Sequence, residues 1–258
     1  MGGVEGQSTI GGCRGIKVVD NETIMSDIIS ERQEILVRTL KENGVSLVGF
    51  GDVAMVSTEL TGGYPVAISL GMKYDEKIVE NCHIDEEAFH KHLQDLKVPV
   101  RRLISITEDL LSRWGYRYES LPLSTLIESD KQLREIKAFP HKTAATCAGL
   151  GWIGKCALLV TPEYGPRISL GTVLTDAGFK TAEPIVRNRC GECSLCVEAC
   201  PYGAIHNINW KRGVERSRLF DAYLCNAKRL EYIPIIGRKH SCGLCLQACQ
   251  IGKKRYGE

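Results

Sequence analysis

Apolar residues recur at helical spacing over residues 22–43 (ETIMSDIISERQEILVRTLKEN), where Ile24, Ile28, Ile29, Ile35, Leu36 and Leu40 stand among charged neighbours. That period predicts an amphipathic helix, closed by Asn43-Gly44. Two short apolar runs, 45–50 (VSLVGF) and 65–70 (PVAISL), predict buried strands, the second introduced by Gly62-Gly63. Residues 85–114 return to the helical period, with a break expected near Pro99. Gly115 to Tyr118 begins a short strand that Pro122 follows. From His141 a run of small residues predicts a helix, then a glycine-punctuated turn and a strand ending at Val160. A further turn and strand cover Thr161 to Asp176. This alternation predicts a mixed α/β layer over residues 21–186, after a flexible leader at 1–20.

Beyond Arg187 the texture changes to cysteine. The stretch Cys190-Gly-Glu-Cys193-Ser-Leu-Cys196-Val-Glu-Ala-Cys200-Pro201 has the C-x2-C-x2-C-x3-C-P spacing of a bacterial ferredoxin half-site, in which the fourth thiolate serves a different cluster. Its partner is Cys242-Gly-Leu-Cys245-Leu-Gln-Ala-Cys249, preceded by Cys225. The obvious allotment gives one [4Fe–4S] cube Cys190, Cys193, Cys196 and Cys249. The other takes Cys200, Cys225, Cys242 and Cys245. Two zinc sites are the alternative for eight thiolates, but zinc ribbons need neither the third cysteine at x2 nor the C-P exit. A disulfide framework fits less well, because thiols this close in a chain without a secretory signal belong in a reducing compartment. Cys13 and Cys82 have no partner at ligand spacing and read as small buried or incidental thiols.

Charge sharpens the division. The 258-residue chain is 25% charged and 43% hydrophobic, with net charge +2. Residues 187–258 carry 13 Lys and Arg against 6 Asp and Glu, a net +7, and residues 1–186 carry 20 against 25, a net −5. Two oxidised cubes with their thiolates contribute about −2 each, so the basic excess balances the clusters, with a nucleic-acid surface as the sharper alternative. No apolar run approaches the ~20 residues that cross a bilayer. The expected location is the cytoplasm, with no membrane partner.

The glycine-rich stretch Ala148-Gly149-Leu-Gly151-Trp152-Ile-Gly154-Lys155-Cys156 is not a phosphate-binding P-loop, because Cys156 stands where a hydroxyl would meet magnesium. Nor is it a dinucleotide fingerprint, since Gly149, Gly151 and Gly154 follow a helix and not a strand. A cofactor-facing loop is preferred over a tight structural turn, with Trp152 against a ring and Lys155 meeting a carboxamide, a phosphate or a surface carboxylate. His141 is the one candidate acid, with a satisfied histidine at a helix N-terminus as the equal alternative. His83, His90 and His92 read as surface residues, and His90 and His92, two apart, face different sides of a helix.

The motifs AGLGWIGK (148–155), TPEYGPR (161–167) and LTD (174–176), followed by the two cysteine segments, resemble the epoxyqueuosine reductase family, which is related to reductive dehalogenases. The resemblance covers about residues 140–250. It implies an α+β chain: a nitroreductase-like, corrinoid-binding mixed α/β domain followed by a small two-[4Fe–4S] ferredoxin-like domain. It implies two [4Fe–4S] clusters and a cobalamin, cradled here by Gly149, Gly151, Trp152, Gly154 and Lys155, that reduces an electrophilic tRNA or small-molecule substrate. Reduced ferredoxin or flavodoxin is the expected donor. Two departures stand out. Glu135 or Ile136 occupies the place of the family's acidic Asp-x-x-Pro donor, and Gln250, not Pro, follows Cys249. An electron-transfer module without its own substrate, serving for example a corrinoid protein, and a redox or metal sensor remain as rivals.

Overall fold

The computed structural model describes residues 21–123, 139–232 and 242–253. The leader, Cys13, Glu135, Ile136, the pair Arg238-Lys239 and Lys254-Arg255 lie outside these residues. Four antiparallel strands form the main sheet in the order β1-β2-β6-β3: β1 (Leu47–Asp52), β2 (Val66–Lys73), β6 (Ile168–Thr175) and β3 (Tyr118–Ser120). β2 and β6 are central, and Val66 to Gly71 are buried without alternation, as a strand covered on both faces requires. β4 (Trp152–Ile153) and β5 (Leu159–Val160) make a separate small hairpin.

Helices α1 (Asn21–Glu42) and α4 (Lys97–Arg113) cover one face. Leu36 and Leu40 from α1 and Val100, Leu103 and Ile104 from α4 close over Phe50, Ile68, Leu70 and Val173. Full burial of each such side chain contributes about 1.5–3 kcal/mol. The predicted helix at 22–43 and strands at 45–50 and 65–70 are present, shifted by a residue or two. The break in the 85–114 segment falls at Leu96, between α3 (Glu86–Asp95) and α4, and not at Pro99. Pro99 sits in the first turn of α4, where its missing N–H costs nothing.

The other face receives α5 (His141–Cys147). Its small residues, Ala144 and Ala145 among them, allow close approach, and β1 meets it with glycine. A Cβ on Gly51 would lie 2.6 Å from the Ala148 nitrogen, and one on Gly49 2.9 Å from the Ala148 carbonyl oxygen. Substitution at either would push helix and sheet apart.

The cysteine-rich region is short helices joined by turns: α6 (Leu195–Glu198), α7 (Ala222–Tyr232) and α8 (Leu244–Gln247). The expected boundary near 187 is crossed by packing. Leu246 of α8 shares a core with Val79, Cys82 and Phe89. A Cβ on Gly252 would collide with the Gly165 nitrogen. The last cysteine segment is therefore built onto the α/β layer.

Candidate iron–sulfur site

The first cysteine segment is wound by backbone turns. Cys193 N–H donates to the Cys190 carbonyl at 3.1 Å, and Cys200 N–H to the Val197 carbonyl at 3.1 Å, with Gly191 and Gly203 at positive φ. Asp221 fixes the start of α7, its side chain accepting from Leu224 N–H at 2.8 Å, so that Cys225 turns inward. Gly243 caps α8 at φ 75°, pressed so closely on Phe89 that a Cβ would lie 2.8 Å from its ring.

Cys200, Cys225, Cys242 and Cys245 line one cavity of about 280 Å³. These are the four thiols that spacing groups together. Burial pushes the Cys245 thiol well above its ordinary value, and the thiols of Cys242, Cys225, Cys196 and Cys200 push the same way. Crowded, buried thiols are poor thiolates, and a bound metal reverses that balance. Among the described residues, no three Cys, His, Asp or Glu side chains close on a single-ion point.

The remaining four are arranged differently. Burial raises Cys249, with Cys190 and Cys196 adding to the effect and the Ile251 N–H and Arg167 opposing it. Cys190, Cys196 and Cys249 thus lie together, while Cys193 stands exposed.

Four contributors escaped the sequence reading. Arg167 of TPEYGPR is buried and donates to the carbonyls of Cys249 at 2.9 Å and Ile251 at 2.5 Å, with Leu246 at 3.5 Å. Cys156, also buried, lines the cavity beside Cys196, and its nearness is the main reason that the Cys196 thiol is pulled down to about 7. Lys142 and Arg216 bring positive charge to the cavity wall, Lys142 donating to the Ala157 carbonyl at 2.5 Å. Burial pulls the Lys142 ammonium down to about 8, assisted by Arg216 and opposed by Cys156. Only the adjacency of Lys155 and Cys156 to the glycine run hinted at any of this.

The residues nominated on the α/β side are placed otherwise than expected. His141 uses both ring nitrogens: Nε2 donates to the Pro122 carbonyl at 3.0 Å, and Nδ1 accepts from the Thr172 hydroxyl at 2.9 Å. Burial lowers its pKa, so it is a neutral tie between α5, β6 and the chain after β3, and not a free acid. The glycines serve the chain itself. A Cβ on Gly149 would lie 3.0 Å from the Glu183 carbonyl oxygen, one on Gly154 2.7 Å from Val160, and one on Gly151 would overlap the Val160 carbonyl. Lys155 is buried and donates to the side-chain carboxamide oxygen of Asn207 at 2.9 Å, across to the cysteine-rich region beside Cys196, where a cofactor's carboxamide or phosphate, or a surface carboxylate, was expected. Trp152 is buried under the Arg189 guanidinium at 5.6 Å, and its Nε1 has no partner among the described residues. His92 is half-buried, and its Nε2 accepts from Asp75 N–H at 2.9 Å. His90 is half-buried, and only His83 is exposed. Cys82 is buried, as expected of a packing thiol, and abuts Gly243.

Comparison with known proteins agrees with this geometry. The 4Fe-4S binding domain family matches residues 183–206. An epoxyqueuosine reductase of Bacillus anthracis is 34% identical over 110 residues, 41% of this chain and 28% of that protein. One from Gloeobacter violaceus is 36% identical over 125 residues, 45% of this chain and 38% of the relative. The matches thus span roughly a third of those relatives' length. A crystal structure of epoxyqueuosine reductase with an epoxyqueuosine-modified tRNA stem loop aligns over 87% of this chain and 66% of its own, at 17% identity and TM-score 0.58. The catabolic reductive dehalogenase NpRdhA with 3-bromo-4-hydroxybenzoic acid aligns over 87% of this chain and 32% of its own, at 17% identity and TM-score 0.63. The chain resembles epoxyqueuosine reductases in sequence. It shares the α/β fold with ferredoxin-like region found in them and in reductive dehalogenases.

Proposed function

We propose that this chain is a cytoplasmic iron–sulfur oxidoreductase that conducts low-potential electrons through two [4Fe–4S] clusters. The observation that carries the reading is the convergence of Cys200, Cys225, Cys242 and Cys245 on one cavity, from three separate stretches of sequence. Cys190, Cys193, Cys196 and Cys249 are the ligands assigned to the second cluster. Bound there, such clusters supply reversible one-electron transfer. The protein does the rest. Exposed Cys193 gives an electron carrier, reduced ferredoxin or flavodoxin, a place to approach. Phe89, Leu158 and Leu246 keep water from the inner cavity. Lys142, Arg216 and Arg167 offset the negative charge that eight thiolates and an added electron bring.

A cobalamin is the further cofactor that the likeness implies, and one dehalogenase neighbour is described in terms of B12-dependent dehalogenation. Of the residues nominated to hold it, the glycines are closed by Glu183 and Val160 and Lys155 is committed to Asn207, which leaves no cradle for a ring; Trp152 alone keeps an unpartnered Nε1 among the described residues. No step is assigned through a corrinoid. These engaged residues favour a second reading, an electron-transfer module that delivers electrons to a partner such as a corrinoid protein. A tRNA or small electrophile is the substrate class if the chain reduces one itself.

Visible spectroscopy and cobalt analysis of anaerobically purified protein separate the two. Stoichiometric cobalt with sharp corrin bands establishes the cobalamin enzyme. Iron–sulfur absorption alone, unchanged on adding cobalamin, assigns the module.

A further inference from the structure

The surface beside Cys193 carries a built basic ribbon. Residues 186–188 and 210–212 pair antiparallel: Arg212 N–H donates to the Val186 carbonyl at 2.7 Å and Asn188 N–H to the Trp210 carbonyl at 2.9 Å. This pairing sets Arg187 directly opposite Lys211. Like charges facing across a ladder are destabilising. Among the described residues no carboxylate pairs with Arg187, Arg189, Lys211 or Arg212, and all four are exposed. The ribbon is joined to the cluster loop, since Asn209 Nδ2 donates to the Gly191 carbonyl at 3.3 Å. Its position is fixed from beneath by Arg189 over the Trp152 ring. Val186 and Leu195 add exposed apolar surface on either side of the loop. Glu192 and Glu198 are the loop's own carboxylates, and Glu198 is held by Ser194 Oγ.

We infer that this ribbon is the docking surface for an acidic electron-carrier protein. Unpaired positive charge held next to the one exposed ligand thiol steers a negatively charged partner to the point where its electron enters. The apolar rim of Val186 and Leu195 gives the encounter a dry contact. The transfer itself moves one electron from the reduced carrier to the cluster at Cys193, oxidising one and reducing the other, with no bond or proton exchanged. A nucleic acid would also be drawn to four cations, but nothing in that role requires the exposed thiol between them. The inference rests on the cluster assignment above.

The test uses cluster-loaded full-length protein and a reduced acidic two-[4Fe–4S] ferredoxin, followed by stopped-flow absorbance across a salt series. In the native chain the second-order rate should fall steeply with salt. Arg187→Glu combined with Lys211→Glu should lower the low-salt rate by about 10-fold or more and flatten the salt dependence. Dithionite should reduce both proteins to the same extent. Equal ferredoxin rates and equal salt dependence in the two proteins would overturn the docking surface. So would loss of binding to a tRNA probe with the ferredoxin rate unchanged, which would give the ribbon to nucleic acid. Failure of dithionite to reduce either protein would overturn the cluster assignment itself.

Discussion

Cys200, Cys225, Cys242 and Cys245 look inward on a shared cavity walled by Phe89, Lys142 and Arg216, whereas Cys193 stands in solvent on a loop beside unpaired arginines. Two sets of four thiols, read from one repeated spacing, differ at one member: Cys193 is exposed, while the other seven are half-buried. The inner set is half-buried and meets the α/β layer through Cys156 and Lys142. The outer set opens to carriers and is held from behind by Arg167. That contrast gives the proposed electron path a direction, from the exposed loop inward toward the β4–β5 hairpin.

Removing one thiol from each set is the strongest way to break the contrast. Cys245→Ser should lose about half of the bound iron and sulfide and unfold at markedly lower temperature, since three cysteine-bearing stretches converge on that cavity. Cys193→Ser should lose a comparable amount of iron with a much smaller fall in melting temperature, because its surroundings are already solvated. Iron analysis with thermal melts checks both, and equal melting losses would erase the distinction.

Arg167 is the next lever. Arg167→Gln leaves the carbonyls of Cys249 and Ile251 without their charged donor and should destabilise the chain by about 3 kcal/mol, with Arg167→Lys recovering part of it. Chemical denaturation of the cluster-loaded protein measures the difference.

A smaller effect sharpens the boundary between the sets. Cys156 stands on the inner cavity wall beside Cys196, where its S–H is placed to donate to a metal-bound Cys196 thiolate. Cys156→Ala should make the outer cluster harder to reduce by a few tens of millivolts, because ~1 kcal/mol of hydrogen bonding corresponds to about 40 mV for one electron. Cys156→Ser should restore most of the shift in an EPR-monitored redox titration.

How much of this could be read beforehand differs between the regions. The amphipathic period of α1, the apolar runs of β1 and β2 and the cysteine spacings are local patterns, and they point to elements that exist. The insertion of β6 between β2 and β3 has no local signature. Neither does the reach of Arg167 to Ile251, 84 residues away. His141 stays open between an acid and a satisfied helix-opening histidine for the same reason: only the fold brings Pro122 and Thr172 to its two nitrogens. Glycines 149, 151 and 154 signalled close approach correctly, but their sequence could not say that β5 and Glu183 are what approaches.

His141 also supplies the smallest effect. Its folded pKa lies below the ordinary 6.5, so as pH falls through that value the unfolded chain takes up a proton that the fold resists. Stability contributed by the neutral ring is present above about pH 6.5 and is lost progressively below it. His141→Gln should lower stability at neutral pH and flatten this acid-side slope in urea melts.

The direct test of the two-cluster account is elemental analysis of the chain purified without oxygen. The account predicts about eight iron and eight acid-labile sulfide per chain, shared between the two cysteine sets. Stoichiometric zinc with negligible sulfide would contradict it.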